Sequence, residues 1–164
     1  MLDLARLQQQ RGNPNQALTT LQQLEKAAPQ ALPLAASLLV SVAHTDLLLP
    51  AVVSLLKTHY QQTPSVDVMD AIARLESDPV TSRQHYVDHL ESEASLVAAA
   101  RWVEGEKLGT EHSHALVQRA LAKATQPLMR YRCAACGFEA TQHFWHCPGC
   151  QAWDSYPARR IEEL

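Results

Sequence analysis

The residues of this 164-residue chain best suited to chemistry are four cysteines near its end. Cys133-Ala134-Ala135-Cys136 and Cys147-Pro148-Gly149-Cys150 form two C-x2-C pairs separated by ten residues. Two residues between thiolates let one tight turn aim both sulfurs at a common centre, and two such turns close a tetrahedral four-sulfur site. Gly137 and Gly149 are expected to relieve the backbone where the turns need positive φ. Backbone N–H groups in the turns are expected to donate to the sulfurs and temper their charge. Cys133, Cys136, Cys147 and Cys150 are therefore the expected ligands of one metal ion. With four protein ligands no position remains for water or substrate, so the expected role is structural. Disulfides need an oxidising compartment, which no leader-like segment signals. A thioredoxin-like redox pair needs one C-x-x-C beside a βαβ pattern, and that pattern is missing.

Sulfur tetrahedra suit both zinc and iron. The Cys-x-x-Cys-Gly-Phe and Cys-Pro-x-Cys turns resemble rubredoxin, whose iron transfers electrons. The ten-residue spacer is far shorter than in rubredoxin, however, and Gln151 replaces the usual glycine after the last cysteine. Zinc is the expected metal, with iron as the alternative. About 35 residues cannot bury enough core to fold alone. Structural zinc contributes on the order of 10–16 kcal/mol of apparent binding energy in small metal domains, enough to hold two short hairpins. Strands are expected over 131–133 and 138–144, with Trp145 and Trp153 packing over the cluster. His143 and His146 read as surface residues.

Composition changes sharply near Pro127. Six of the nine aromatic residues and all four cysteines fall within 131–156, whereas the preceding chain is rich in Ala, Leu and Gln, which favour helix. Two domains follow: a helical repeat region over 1–128 and a four-cysteine, rubredoxin-like metal-binding domain over 129–164. Ser65 is expected to cap a helix through Val66, Met69, Ile72, Ala73 and Leu75, and Asp78-Pro79 to open the next. Pro33 and Pro50 are expected to open helices in the same way. Amphipathic stretches at 95–104 and 111–124 flank Gly105 and Gly109. No segment before Tyr131 alternates as a strand would.

The helices carry a repeat pattern. Gly12, Ala17, Leu21, Leu24 and Pro29 resemble the tetratricopeptide consensus, and Leu4-Ala5 falls where its first helix wants Leu-Gly. Small residues let two helices approach, while large apolar ones fill the groove of the next repeat. Pro64 follows Pro29 by 35 residues, close to the repeat period, with Leu47 in place of a turn glycine. The expected fold is mostly α: a tetratricopeptide-like α-α superhelix followed by a small zinc-ribbon domain with short strands. The consensus Trp position falls on Met1, and Leu2, Leu4 and Leu7 are apolar. The chain is therefore expected to be the C-terminal part of a longer repeat protein.

Other functions fit poorly. Lys+Arg 14 against Asp+Glu 17 gives a net charge of −3, which argues against a broad nucleic-acid-gripping face. Arg130, Arg132, Arg159 and Arg160 are balanced within the tail by Glu139, Asp154, Glu162 and Glu163. A nucleic-acid-binding zinc ribbon stacking bases on Phe144, Trp145 and Trp153 is the first rival reading, and a rubredoxin-like electron carrier the second. No run approaches the roughly 18 apolar residues that span a bilayer. His112 and His114 alternate on a helix and so do not converge with Glu111 on a catalytic cluster. His85 and His89 share a helical face near Asp88 and are expected to be exposed polar residues. No catalytic residue and no organic cofactor are expected.

Tyr131-Arg132-Cys133-x-x-Cys136-Gly137-Phe138 and Trp145-His146-Cys147-Pro148-x-Cys150-x-Ala152-Trp153 closely resemble the C-terminal domain of the lipopolysaccharide assembly protein B family. That bacterial family has an N-terminal membrane helix, for which no apolar run in these residues is long enough, then a cytoplasmic tetratricopeptide array and a terminal rubredoxin-like knuckle. The resemblance implies a non-enzymatic adaptor at the cytoplasmic face of the inner membrane. Such an adaptor helps the FtsH protease degrade LpxC, the deacetylase that commits precursor to lipid A, and so regulates lipopolysaccharide biosynthesis. It implies protein partners, namely FtsH and lipopolysaccharide biosynthesis and transport proteins, while the sequence leaves open whether the array also pairs as a homodimer. The metal ligands it implies are the four cysteines already named.

Overall fold

The computed structural model describes residues 1–44, 47–106 and 108–164. Among these, eight α-helices precede one short ladder: α1 Leu2–Gln10, α2 Pro14–Ala27, α3 Ala36–Val42, α4 Leu49–Gln62, α5 Val66–Leu75, α6 Pro79–Ser92, α7 Leu96–Glu104 and α8 Glu111–Thr125. Strands β1 Tyr131–Arg132 and β2 Glu139–Ala140 follow. The mostly helical expectation holds, and no strand precedes Tyr131 among the described residues. None of these helices is long and apolar enough to cross a membrane. The chain divides into two compact units, Met1–His85 and Tyr86–Leu164.

In the first unit, Gly12 takes a left-handed φ of 75° that turns the chain out of α1. Asn13 and Pro14 then start α2, with proline where its missing N–H costs nothing. Ala5 of α1 and Ala17 of α2 are fully buried, so the two helices approach closely over small side chains. Leu21, Leu32, Leu39, Val52 and Leu56, none with any solvent exposure, extend that core through α4. Buried His59 on α4 sets Nδ1 3.0 Å from Glu25 Oε1 on α2, a polar tie within an otherwise apolar interface.

The proline expectations divide. Pro50 is the second residue of α4, as expected. Pro33 instead lies inside a 3-10 stretch, Pro29–Ala35, and α3 begins only at Ala36. The 3-10 stretch is already under way from Pro29 when the chain reaches Pro33, its fifth residue, so this proline does not stand at a helix start. Ser65 Oγ accepts from Val68 N–H at 3.3 Å and starts α5, which buries Val66, Met69, Ile72 and Ala73. Asp78 accepts from the Thr81 hydroxyl at 2.6 Å and its N–H at 2.9 Å, and these bonds hold its carboxyl below the ordinary range.

In the second unit, Ser95 Oγ caps α7 by accepting from Ala98 N–H at 2.9 Å. Glu162, near the chain end, completes this cap: Oε1 accepts from Val97 N–H at 3.0 Å and Oε2 from Ser95 Oγ at 2.8 Å. A carboxylate at a helix N-terminus is favoured by the dipole as well as by the hydrogen bonds. His89, expected to be exposed, is only 2% exposed. Burial pushes its imidazole pKa down, while Glu93 and Glu162 pull the other way. Thr110 and Ser113 form a capping box at α8, on which His112 is exposed and His114 half-buried.

Candidate metal centre

The cysteine segment hangs on two copies of one turn. In the first, Cys133 N–H donates to Phe138 O and Cys133 O accepts from Gly137 N–H, both at 2.9 Å. In the second, Cys147 N–H donates to Ala152 O and Cys147 O accepts from Gln151 N–H, again at 2.9 Å. The residue four after the leading cysteine takes positive φ in each copy: Gly137 at 77° and Gln151 at 61°. The expectation for Gly149 is corrected here, since its φ is not positive. Its role is close approach: a Cβ there would meet the Phe138 ring at 3.2 Å.

The turns bring all four Sγ atoms within 4.8 Å of one another. Cys133–Cys150 and Cys136–Cys147 are each 3.8 Å apart. A tetrahedron with metal–sulfur bonds of about 2.3 Å has an edge of about 3.8 Å. Two edges of the sulfur tetrahedron therefore already stand at the spacing one zinc or iron ion requires, and the four cysteines are positioned to bind one metal ion. A bound ion would cross-link the two turns and neutralise thiolate charge, with no protein-free position for catalysis.

Electrostatics within the cluster fit a cation. The Ser155 hydroxyl, 3.2 Å from Cys133 Sγ, and the N–H groups of Cys136 and Ala135 bring the Cys133 thiol down to about 6. Cys147 is also lowered: burial opposes its ionisation, but the N–H groups of Cys150 and Gly149 outweigh it. At Cys136 the Phe138 N–H favours the thiolate, yet Cys150, burial, Cys133 and Cys147 together push it up to about 12. Sulfurs this close cannot all carry charge without a cation among them. The site is thus built from two turns that favour thiolates and a mutual repulsion that a metal ion would remove.

Around the sulfurs the structure differs from expectation in several places. Pairing joins Tyr131 to Ala140 and Arg132 to Glu139, so the second strand is two residues long rather than spanning 138–144. Trp145 and Trp153 are 47% and 75% exposed and do not cover the cluster. Each rests on a histidine instead: Trp145 edge-on to His143 at 4.6 Å, and Trp153 over His146 at 4.7 Å. His146 is exposed as expected, but His143 is half-buried, its Nε2 3.0 Å from Tyr156 O and its ring edge-on to Tyr131.

Tyr156 is the buried residue that sequence reasoning passed over. Its hydroxyl donates to Phe138 O at 3.1 Å and lies 3.9 Å from Cys147 Sγ. Burial and the neighbouring sulfurs push its phenol up to about 12. Arg160 closes the other side, its guanidinium 4.2 Å over the Tyr131 ring and its Nη1 donating to Met129 O at 2.6 Å. Ile161 N–H donates to Arg130 O at 2.9 Å. The same short terminal segment thus clasps the entry to β1 and, through Glu162, the start of α7.

Residues 131–156 match the family described as the rubredoxin metal binding domain, the LapB zinc ribbon. Lipopolysaccharide assembly protein B of Escherichia coli strain K12 is 50% identical over 36 residues, which cover 21% of this chain and 9% of that protein. The proteins of the same name from Escherichia coli O6:H1 and O157:H7 give the same identity and coverage. The aligned stretch is thus less than a tenth of the length of these curated relatives. Within that stretch, the cysteine segment is similar to the zinc ribbon of lipopolysaccharide assembly protein B, as its motifs led us to expect.

Proposed function

We propose that this chain is part of a non-enzymatic adaptor of the lipopolysaccharide assembly protein B type. The observation that carries the reading is the match of residues 131–156 to that family's ribbon, together with a four-sulfur arrangement that leaves no catalytic position. In this reading Cys133, Cys136, Cys147 and Cys150 ligate one structural zinc ion. Residues 1–128 serve as a tetratricopeptide-like protein-binding array, and residues 129–164 as the metal-binding module. The helical hairpin of α1 and α2, with buried Ala5, Ala17 and Leu21 at consensus positions, supports the repeat assignment.

The adaptor would act at the cytoplasmic face of the inner membrane, where the full-length protein is anchored. It would promote degradation of LpxC by FtsH, and recruitment would suffice as mechanism: holding protease and substrate together raises their effective concentration. The test is reconstitution of FtsH with LpxC in membranes, with and without the full-length protein. Faster LpxC loss with the intact protein, abolished when all four cysteines become serine, is the expected result. LpxC turnover unchanged by the intact, metal-loaded protein would refute the adaptor reading.

A further inference from the structure

The four sulfurs are not equivalent, and their differences form a pattern. Cys133 and Cys147, which lead their turns, are buried, whereas Cys136 and Cys150, which close them, are exposed. Each 3.8 Å sulfur pair crosses from one turn to the other and joins one exposed sulfur to one buried sulfur. Solvent, and any oxidant dissolved in it, therefore meets the sulfurs at Cys136 and Cys150.

We propose that Cys136 and Cys150 are oxidation sites for hydroperoxides, each resolved by the buried cysteine of the opposite turn, so that oxidation ejects the metal. The proposal rests on the reading that these cysteines hold a metal ion. Accessible thiolates beside a resolving thiol are the arrangement that redox-sensitive cysteines need. An exposed thiolate attacks the hydroperoxide, the O–O bond breaks, and the sulfur becomes a sulfenic acid. The released alkoxide takes a proton and leaves as the alcohol, or as water from hydrogen peroxide. The buried thiolate then attacks the sulfenic sulfur; the S–S bond forms, the S–O bond breaks, and hydroxide leaves and is protonated. Two thiolates, one hydroperoxide and two protons become one disulfide, one alcohol and one water. Closing either pair from 3.8 Å to a disulfide needs a shift of about 1.8 Å. It removes two of four ligands at once.

The test uses the wild-type chain, reduced and loaded with zinc, whose metal content is measured first. Hydrogen peroxide is then added while free zinc is followed with a chromophoric chelator, and samples are alkylated and mapped by mass spectrometry. The expected result is one zinc per chain at the start and one zinc released for every two thiols lost. The first disulfides should be Cys133–Cys150 and Cys136–Cys147, and dithiothreitol with added zinc should restore the original metal content. First disulfides within a turn, sulfinic acids without disulfides, or zinc retained after thiol loss would each overturn the proposal. A reduced protein that binds no metal would instead overturn the metal reading beneath it.

Discussion

The helical unit and the cysteine tail solve the same problem with different means. Within Met1–His85, buried side chains from Leu2 through Ile72 form one continuous apolar cluster. In the tail, the buried side chains are Tyr131, Cys133, Cys147 and Tyr156, and two of those four are metal-ligand candidates. The helices can rest on hydrophobic burial, at about 25 cal/mol per Å² of apolar area. The tail has little such area; its turns are held by backbone hydrogen bonds, and in the proposed reading a metal ion at the sulfurs joins them. The lesson is that secondary-structure content says little about stability here, because in the proposed reading the region with the fewest regular elements takes its order from a metal cross-link.

The largest effect that could break this contrast is loss of the metal. Cys147→Ser should lower metal content and leave the tail without a stabilisation on the order of 10 kcal/mol. Far-UV helicity should stay near that of the wild type. Full retention of bound metal in that variant, measured by elemental analysis, would refute the four-cysteine assignment. The converse change comes next: Leu21→Ala, at a position with no solvent exposure, should cost about 2–5 kcal/mol in the helical unit. Denaturant melts should show that loss while the metal content of the folded protein is unchanged.

Smaller changes sharpen the comparison within the tail, where the positive-φ position is glycine in the first turn and glutamine in the second. Gly137→Ala places a Cβ at φ 77° and should destabilise the first turn by about 1–2 kcal/mol. Gln151→Gly, at φ 61° in the second turn, should act in the opposite direction, by up to about 1 kcal/mol. Competition with a chromophoric chelator would read both as opposite shifts in zinc affinity. Equal effects of the same sign would mean that the turns are not the matched pair their hydrogen bonds describe.

The subtlest expected effect is a pH dependence at His89. Its folded pKa lies below the usual 6.5 because burial disfavours the charged ring, against the pull of Glu93 and Glu162. As pH falls below about 6.5 the unfolded chain takes up this proton before the folded one, so stability drops with falling pH in that window. His89→Gln should flatten the profile over that range in melts followed by hydrogen exchange at the start of α7. An unchanged profile would remove His89 from the account.

What the sequence reveals most readily is local in the chain. Ser65, Asp78, Ser95 and Thr110 cap helices through bonds to residues three positions on, so the signal and its partner share one short window. The C-x2-C spacing is equally local, and it locates the sulfur cluster. The equivalence of Gln151 with Gly137 was within reach, because both stand four residues after a leading cysteine, but a glutamine gives no hint of positive φ. Ser155, Tyr156, Arg160 and Glu162 were not readable. Their contacts to Cys133, Phe138, Tyr131 and Val97 form only once the chain has folded back, and no spacing rule encodes them. The burial of His89 and the solvent exposure of Trp153 went against residue-type expectation for the same reason.

The central claim is that a metal ion holds the cysteine tail while hydrophobic burial holds the helices. Hydrogen exchange on the full chain, before and after metal removal by a chelator under reducing conditions, tests it most directly. Amides over 131–156 should lose their protection on chelation, while those of α2, α4 and α5 keep theirs. Protection in the tail that survives complete metal removal, or a helical core that unfolds with it, would contradict the account.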